Sequence, residues 1–152
     1  MKNIFFGLIL VTLASCGGKG RVAEWRTPQE MPPNISYEKV WEAIVNTALE
    51  NYEIDVIEPQ AGYFQSKWKT GSMIWQQFPV GISPYKKTRL SVRVLDKNPV
   101  KYNVKVETYT AESLSQNVYF TKMRPSGNDS YQELQFIRRI NDKLREAENA
   151  TN

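Results

Sequence analysis

Histidine is absent from the 152 residues. Without an imidazole there is no Ser-His-Asp triad, no Cys-His dyad and no zinc site of the kinds that use histidine. Cysteine occurs once, at Cys16, so no disulfide can form within the chain and its fold must rest on packing. Long apolar runs are scarce as well. The run Ile4 to Leu13 is too short for a membrane-spanning helix, which needs about 20 apolar residues, and no second stretch approaches that length. There is no phosphate-cradling glycine loop, no dinucleotide fingerprint and no EF-hand spacing. The formal net charge is +4, and no basic tract accompanies it, which gives no case for a nucleic-acid partner. Catalysis would have to come from carboxylates, Ser, Lys or Tyr, and the carboxylates form no coherent constellation. The expectation is a protein that is not an enzyme and uses no metal.

What is present begins with residues 1 to 16. Lys2 supplies one cation ahead of the apolar run, and the run closes on Leu13-Ala14-Ser15-Cys16. This is the three-part layout of a secretory signal. Leu-Ala-Ser-Cys resembles the lipobox of bacterial lipoproteins. The resemblance implies a signal peptide over residues 1–15, cleavage before Cys16, lipid on the Cys16 sulfur and acylation of the new amino terminus. That covalent lipid stands in place of any cofactor. Several acyl chains together anchor stably, where one chain binds only marginally. In familiar Gram-negative examples an Asp after the lipidated cysteine favours inner-membrane retention. Gly17 occupies that position, so the resemblance points to the outer membrane, facing the periplasm.

Residues 16–34 read as the lipidated cysteine and a flexible tether, with Gly17, Gly18, Gly20, Pro28, Pro32 and Pro33 among polar neighbours. A helix is expected over Tyr37 to Asn51, capped by Ser36 and stapled by Ile35 and Val40. Its apolar stripe is Tyr37, Val40, Trp41, Ile44, Ala48 and Leu49, with Trp41 assigned to packing. Two strands follow, Tyr52–Ile57 and Tyr63–Lys69, around a turn at Pro59 and Gly62. As a hairpin they pair Val56 with Phe64, Ile54 with Ser66 and Tyr52 with Trp68, and bury Tyr52, Ile54, Val56, Phe64 and Trp68.

A second hairpin is clearer. Thr88–Leu95 and Lys101–Tyr109 alternate strictly, and a turn at Lys97-Asn98-Pro99 pairs Val92 with Val104 and Leu90 with Val106. The outward face then sets Arg89 opposite Glu107 and Arg93 opposite Asn103. Val118 to Met123 reads as a further strand. A last helix spans Tyr131 to Ala147, with Ser130 and Glu133 as a capping box and Leu134, Ile137, Ile140 and Leu144 as its stripe. The fold class expected is α+β: one domain over residues 35–148, a two-layer sandwich in which two helices pack an antiparallel sheet of four or five strands. Residues 149–152 form a frayed tail.

Two stretches invite a functional reading. Residues 70 to 86, TGSMIWQQFPVGISPYK, form a long connection rich in apolar side chains, and such loops serve as binding surfaces or fold back as satellite core. The outward hairpin face carries Lys87, Arg89, Arg93, Lys101 and Lys105, which suits anionic headgroups or an acidic partner, or serves simply as a solvated face. Trp75, Phe78, Tyr85, Arg89 and Arg93 are the candidate partner-binding residues. Ser83-Pro84-Tyr85-Lys86 and Lys69-Thr70-Gly71 resemble signatures of penicillin-binding proteins, but their order along the chain is reversed and Ser83 precedes a proline.

The helix Val40-Trp41-Glu42-Ala43-Ile44, the next strand with its Gly62-Tyr63 turn, and the closing Leu-rich helix together resemble the helix-grip modules of the BamC envelope lipoprotein. BamC belongs to the outer-membrane barrel-assembly machinery and has two such modules, whereas this chain has room for one. The resemblance implies a non-catalytic lipoprotein that contacts a protein partner in the envelope. The alternative is a periplasmic module that holds a small or lipidic ligand between helix and sheet.

Overall fold

A computed structural model describes residues 21–71, 86–111 and 123–150. Among these residues, seven strands and two helices follow in chain order: β1 (Gln29–Glu30), α1 (Tyr37–Leu49), β2 (Ile54–Glu58), β3 (Tyr63–Ser66), β4 (Lys69–Thr70), β5 (Lys86–Lys97), β6 (Val100–Ala111), β7 (Met123–Asn128) and α2 (Ser130–Asn149). The architecture is α+β, an open antiparallel sheet with both helices packed against it. The expected count of four or five strands is short because β1, β4 and β7 are separate short strands along the edges of longer ones.

The β5–β6 hairpin is the spine. Each strand runs twelve residues, and the register matches the expected one: Leu90 opposite Val106, Val92 opposite Val104, Arg89 opposite Glu107 and Arg93 opposite Asn103. Strict alternation of apolar and polar residues fixes this register, because a slip of one would expose the entire apolar set. Leu90, Val92, Val94, Tyr102, Val104 and Val106 are all buried on the helix-covered face. They meet Val40, Trp41 and Ile44 of α1 and Phe136, Ile137, Ile140 and Leu144 of α2 in one core.

Both flanks of the spine are broken at the level of the Leu90–Val106 pair. On one side β3 pairs with Ser91–Arg93 and β4 with Lys87–Thr88, leaving the Leu90 amide without a strand partner. The Ser66 hydroxyl, fully buried, accepts that amide at 3.0 Å. On the other side β1 runs beside Lys101–Tyr102 and β7 beside Glu107–Ala111. The gap between them is filled by Glu133 of α2, whose Oε1 accepts the Val106 amide at 3.0 Å. Buried backbone donors must find acceptors, and here two side chains supply what strands do not.

These breaks explain where the sequence reading fails. Phe64 and Ser66 face the core, but one extra residue between Ser66 and Lys69 shifts the register against β5 and reverses the alternation. Trp68 therefore turns to the outer face of the sheet instead of the core, and is 39% exposed. A second irregularity, between Ile54 and Val56, places Val56 opposite Gln65 and Phe64 opposite Ile57, while Ile54 keeps its expected partner Ser66. Glu133, engaged with β6, is not free to close a capping box. Asp129 caps α2 instead, accepting from the Gln132 amide, and the buried stripe becomes Glu133, Phe136, Ile137, Ile140 and Leu144. Leu134 and Leu49, both expected in apolar stripes, are half exposed. The α1 cap is as expected, with the Ser36 side chain accepting from the Lys39 amide.

The segment read as tether up to Asn34 is in part docked. The Arg26 amide donates to the Val104 carbonyl and the Met31 amide to the Val100 carbonyl, and the Met31 side chain joins the core. The expected strand Val118 to Met123 lies outside the described residues except for Met123, where β7 begins.

Candidate interaction surface

The face of the sheet opposite the helices takes the odd-numbered residues of β5 and β6. Arg89, Ser91 and Arg93 alternate outward on one strand, and Asn103, Lys105 and Glu107 on the other. Glu107 is the hub. Arg89 donates from Nε and Nη2 to its Oε2 at 2.8 and 2.6 Å, and Lys105 Nζ donates to its Oε1 at 3.1 Å. Partial burial pulls the Glu107 carboxyl upward, but the hydrogen bonds and charges of Arg89 and Lys105 outweigh it and hold the group below its ordinary value.

Aromatic rings finish the strip at both ends. The Arg89 guanidinium lies 4.5 Å from the centre of the Trp68 ring, and Trp68 meets Tyr109 edge to face at 5.0 Å. At the other end the Trp25 ring receives Arg93 at 4.8 Å and Lys105 at 4.9 Å. Both contacts fall within the reach of cation–π attraction. The result is a strip of Trp25, Arg93 and Lys105, Glu107, Arg89, Trp68 and Tyr109, in which Arg89 and Lys105 share the Glu107 carboxylate and Arg93 lies against Trp25. Its surplus of positive charge and flat aromatic ends suit an anionic or mixed polar–aromatic protein surface.

The candidate residues divide cleanly. Arg89 and Arg93 share this face, each committed to an aromatic ring. Lys101, from the same expected patch, pairs with Glu30 at 3.2 Å. The patch is therefore largely self-paired, not a free row of cations. Trp75, Phe78, Tyr85 and Cys16 lie outside the described residues. Trp25 and Trp68 are the members that sequence reading missed. Trp25 sits in a Pro-rich stretch with no strand periodicity, and Trp68 follows a register change that alternation alone does not reveal. Glu107 was legible as the outward partner of Arg89.

A second concavity lies beside Tyr52, lined by Asn51, Lys69, Tyr131, Gln132, Phe136 and Arg139, with a volume of about 240 Å³. The Tyr52 hydroxyl donates to Gln132 Oε1 at 2.8 Å, and Lys69 Nζ donates to the Asn51 carbonyl while lying over the Tyr52 ring. Burial, with Asp129 nearby, pushes the Tyr52 phenol up to about 12, so it stays a neutral donor. This cleft alone is smaller than the roughly 300–1,000 Å³ usual for organic ligands, but a neighbouring concavity that shares Asn51, Tyr52 and Lys69 measures about 520 Å³. Lys86, the last residue of the S-x-x-K match, is held by Asp129 at 2.6 Å. Among the described residues no cluster of His, Cys, Asp and Glu is placed to hold a metal ion. No protein-family model matches the chain, and no curated protein is significantly similar to it.

Proposed function

We propose that this chain is a non-catalytic, lipid-anchored lipoprotein of the bacterial envelope, an accessory subunit that contacts a membrane-protein or envelope-assembly complex. The observation that carries the reading is the lone cysteine at the end of Leu13-Ala14-Ser15-Cys16, directly after a short apolar run. Two features support it. Among the described residues no helix is long and apolar enough to cross a membrane, which is compatible with attachment through lipid. The outer sheet face presents the aromatic–cationic strip, and aromatic and arginine side chains are the types that anchor protein interfaces. Gly17 favours the outer membrane with the domain facing the periplasm.

Intact-mass analysis of the purified protein tests the anchor: the expected product begins at Cys16 and carries acyl mass, and an unmodified Cys16 overturns it. Crosslinking in intact cells with recovery through a C-terminal tag tests the partner. A defined set of envelope subunits is expected, and its loss on Arg93→Glu assigns the strip as the contact. Recovery of nothing above background shifts support to the alternative, a small or lipidic ligand bound beside Tyr52. Native mass spectrometry would then detect the retained molecule.

A further inference from the structure

The backbone edge of β6 that faces away from β5 is closed by three unlike elements in succession. Residues 24–31 cover Val100 to Val104, Glu133 with Asp129 covers Val106, and β7 covers the rest. The first cover is the least secured. Its ladder is two residues long, supplemented by the Arg26 and Met31 amides. Met31 is its one side chain in the core, while Glu24, Thr27, Pro28 and Glu30 are exposed. Its other contacts lie at the surface: the Glu24 amide donates to Asn128 Oδ1 at 2.7 Å and its carbonyl accepts from Asn128 Nδ2 at 2.6 Å, Trp25 meets Arg93 and Lys105, and the ion pairs Arg26 to Glu133 and Lys101 to Glu30 stand at 3.4 and 3.2 Å. With one core side chain and otherwise polar contacts at the surface, which are each worth little, the ordering of eight residues leaves little surplus over the conformational entropy lost.

The fit is also incomplete. Asn103 lies between the two cations that hold the Trp25 ring, opposite Arg93 and two residues from Lys105. It is 4% exposed, and its Oδ1 meets no donor among the described residues. A buried acceptor left unpaired is costly, and an incoming segment that offers a donor there would gain what residues 24–31 do not supply.

We infer that the Val100–Val104 edge of β6 is a strand-accepting surface, which residues 24–31 occupy in cis and an extended segment of a partner protein takes over by exchange. The chemistry of that segment is set by the seat. It carries an aromatic residue over Arg93 and Lys105, then a cation reaching Glu133, an acidic residue facing Lys101 and an apolar residue in the place of Met31. Recognition is by added-strand pairing, in which backbone bonds give affinity and alternate side chains give selectivity. The inference deepens the accessory-subunit reading and rests on it for its biological meaning. Residues 24–31 are the docked part of the segment read as tether, so their release lengthens the reach from Cys16 by roughly 27 Å at about 3.4 Å per residue. Partner capture and tether length are thereby coupled.

The test uses the full chain in mild detergent and a labelled synthetic peptide spanning Arg21 to Asn34. Hydrogen exchange on the unmodified chain should show the Arg26 and Met31 amides exchanging at least ~100-fold faster than the slowest amides of β5 and β6, as expected for a locally opening unit. The peptide should bind the Trp25→Ala, Met31→Ala variant at least ~10-fold more tightly than the unmodified chain, about 1.4 kcal/mol. Glu30→Cys with Lys101→Cys, in a Cys16→Ser background, joins directly paired residues and should abolish peptide uptake when oxidised and restore it when reduced. Exchange of Arg26 and Met31 in step with the core, or equal binding to the locked and unlocked chains, overturns the proposal. A dimer that swaps residues 24–31 between copies and takes up no peptide overturns the assignment to a partner segment. None of these readouts involves lipid, so an unmodified Cys16 would remove the anchoring reading and leave the strand-accepting edge standing.

Discussion

Two side chains, Ser66 and Glu133, stand in for missing strand residues on opposite flanks of the same cross-strand pair. Removing either leaves a buried amide unsatisfied, at about 1–3 kcal/mol, more where the lost partner is charged. Ser66→Ala should therefore cost about 1–2 kcal/mol in urea unfolding. Glu133→Ala should cost about 2–4 kcal/mol, since Asn128 and Arg26 lose the same partner. Glu133→Gln keeps an acceptor for Val106 and should fall between wild type and Ala. Acid dependence follows from two other carboxylates. Burial raises Asp129 and Glu107, but Lys86 with the Gln132 amide in the first case, and Arg89 with Lys105 in the second, bring each below its ordinary value of 3.8 or 4.5. With folded values depressed, their contribution is whole above the unfolded values and is lost as pH falls through the folded ones. Unfolding midpoints measured from pH 7 downward should stay level to about pH 5 and decline below it. Glu107→Gln should flatten part of that decline.

At the scale of elements, the spine and both helices were legible because each is specified locally. Alternation in β5 and β6 fixed their register residue by residue, and the 3.6-residue period marked both helices. What stayed hidden was set by distant partners. No local pattern shows that the chain shifts parity after Ser66, that Glu133 turns inward to Val106, or that the Pro-rich residues before Asn34 lie along β6. Of the candidate strip, Arg89, Arg93 and Glu107 could be read from the hairpin pattern, whereas Trp25 and Trp68 required the tertiary structure. Leu134 and Ile140 separate the two kinds of evidence. Leu134→Lys should change stability by no more than about 0.5 kcal/mol, while Ile140→Ala should cost about 2–5 kcal/mol by chemical denaturation. The β2–β3 turn adds a sharper case. Gly62 has φ +65°, and a Cβ there would sit 2.7 Å from Val94 Cβ, while its carbonyl accepts the Val94 amide. Gly62→Ala should destabilise by more than about 1 kcal/mol, visible as a lower urea midpoint at unchanged slope.

At the scale of the whole molecule, anchoring and folding should separate. Cys16→Ser should move the protein from the detergent phase to the aqueous phase in a partitioning assay while leaving the unfolding midpoint of the domain unchanged. A concurrent fall in the midpoint would tie the anchor to the fold. The order of the strands carries a further consequence, one of timing. Gln29 pairs with Tyr102, and the Val106 amide waits for Glu133. At the roughly 5–20 residues per second of synthesis, Gln29 precedes its partner by about 4–15 s. The β5–β6 hairpin can close as soon as its own turn has been made and residues 24–31 can then line Val100–Val104, yet the edge at Val106 stays open until α2 exists. Until then the growing chain presents an unpaired strand edge, and the residues that close it are supplied from both ends of the domain.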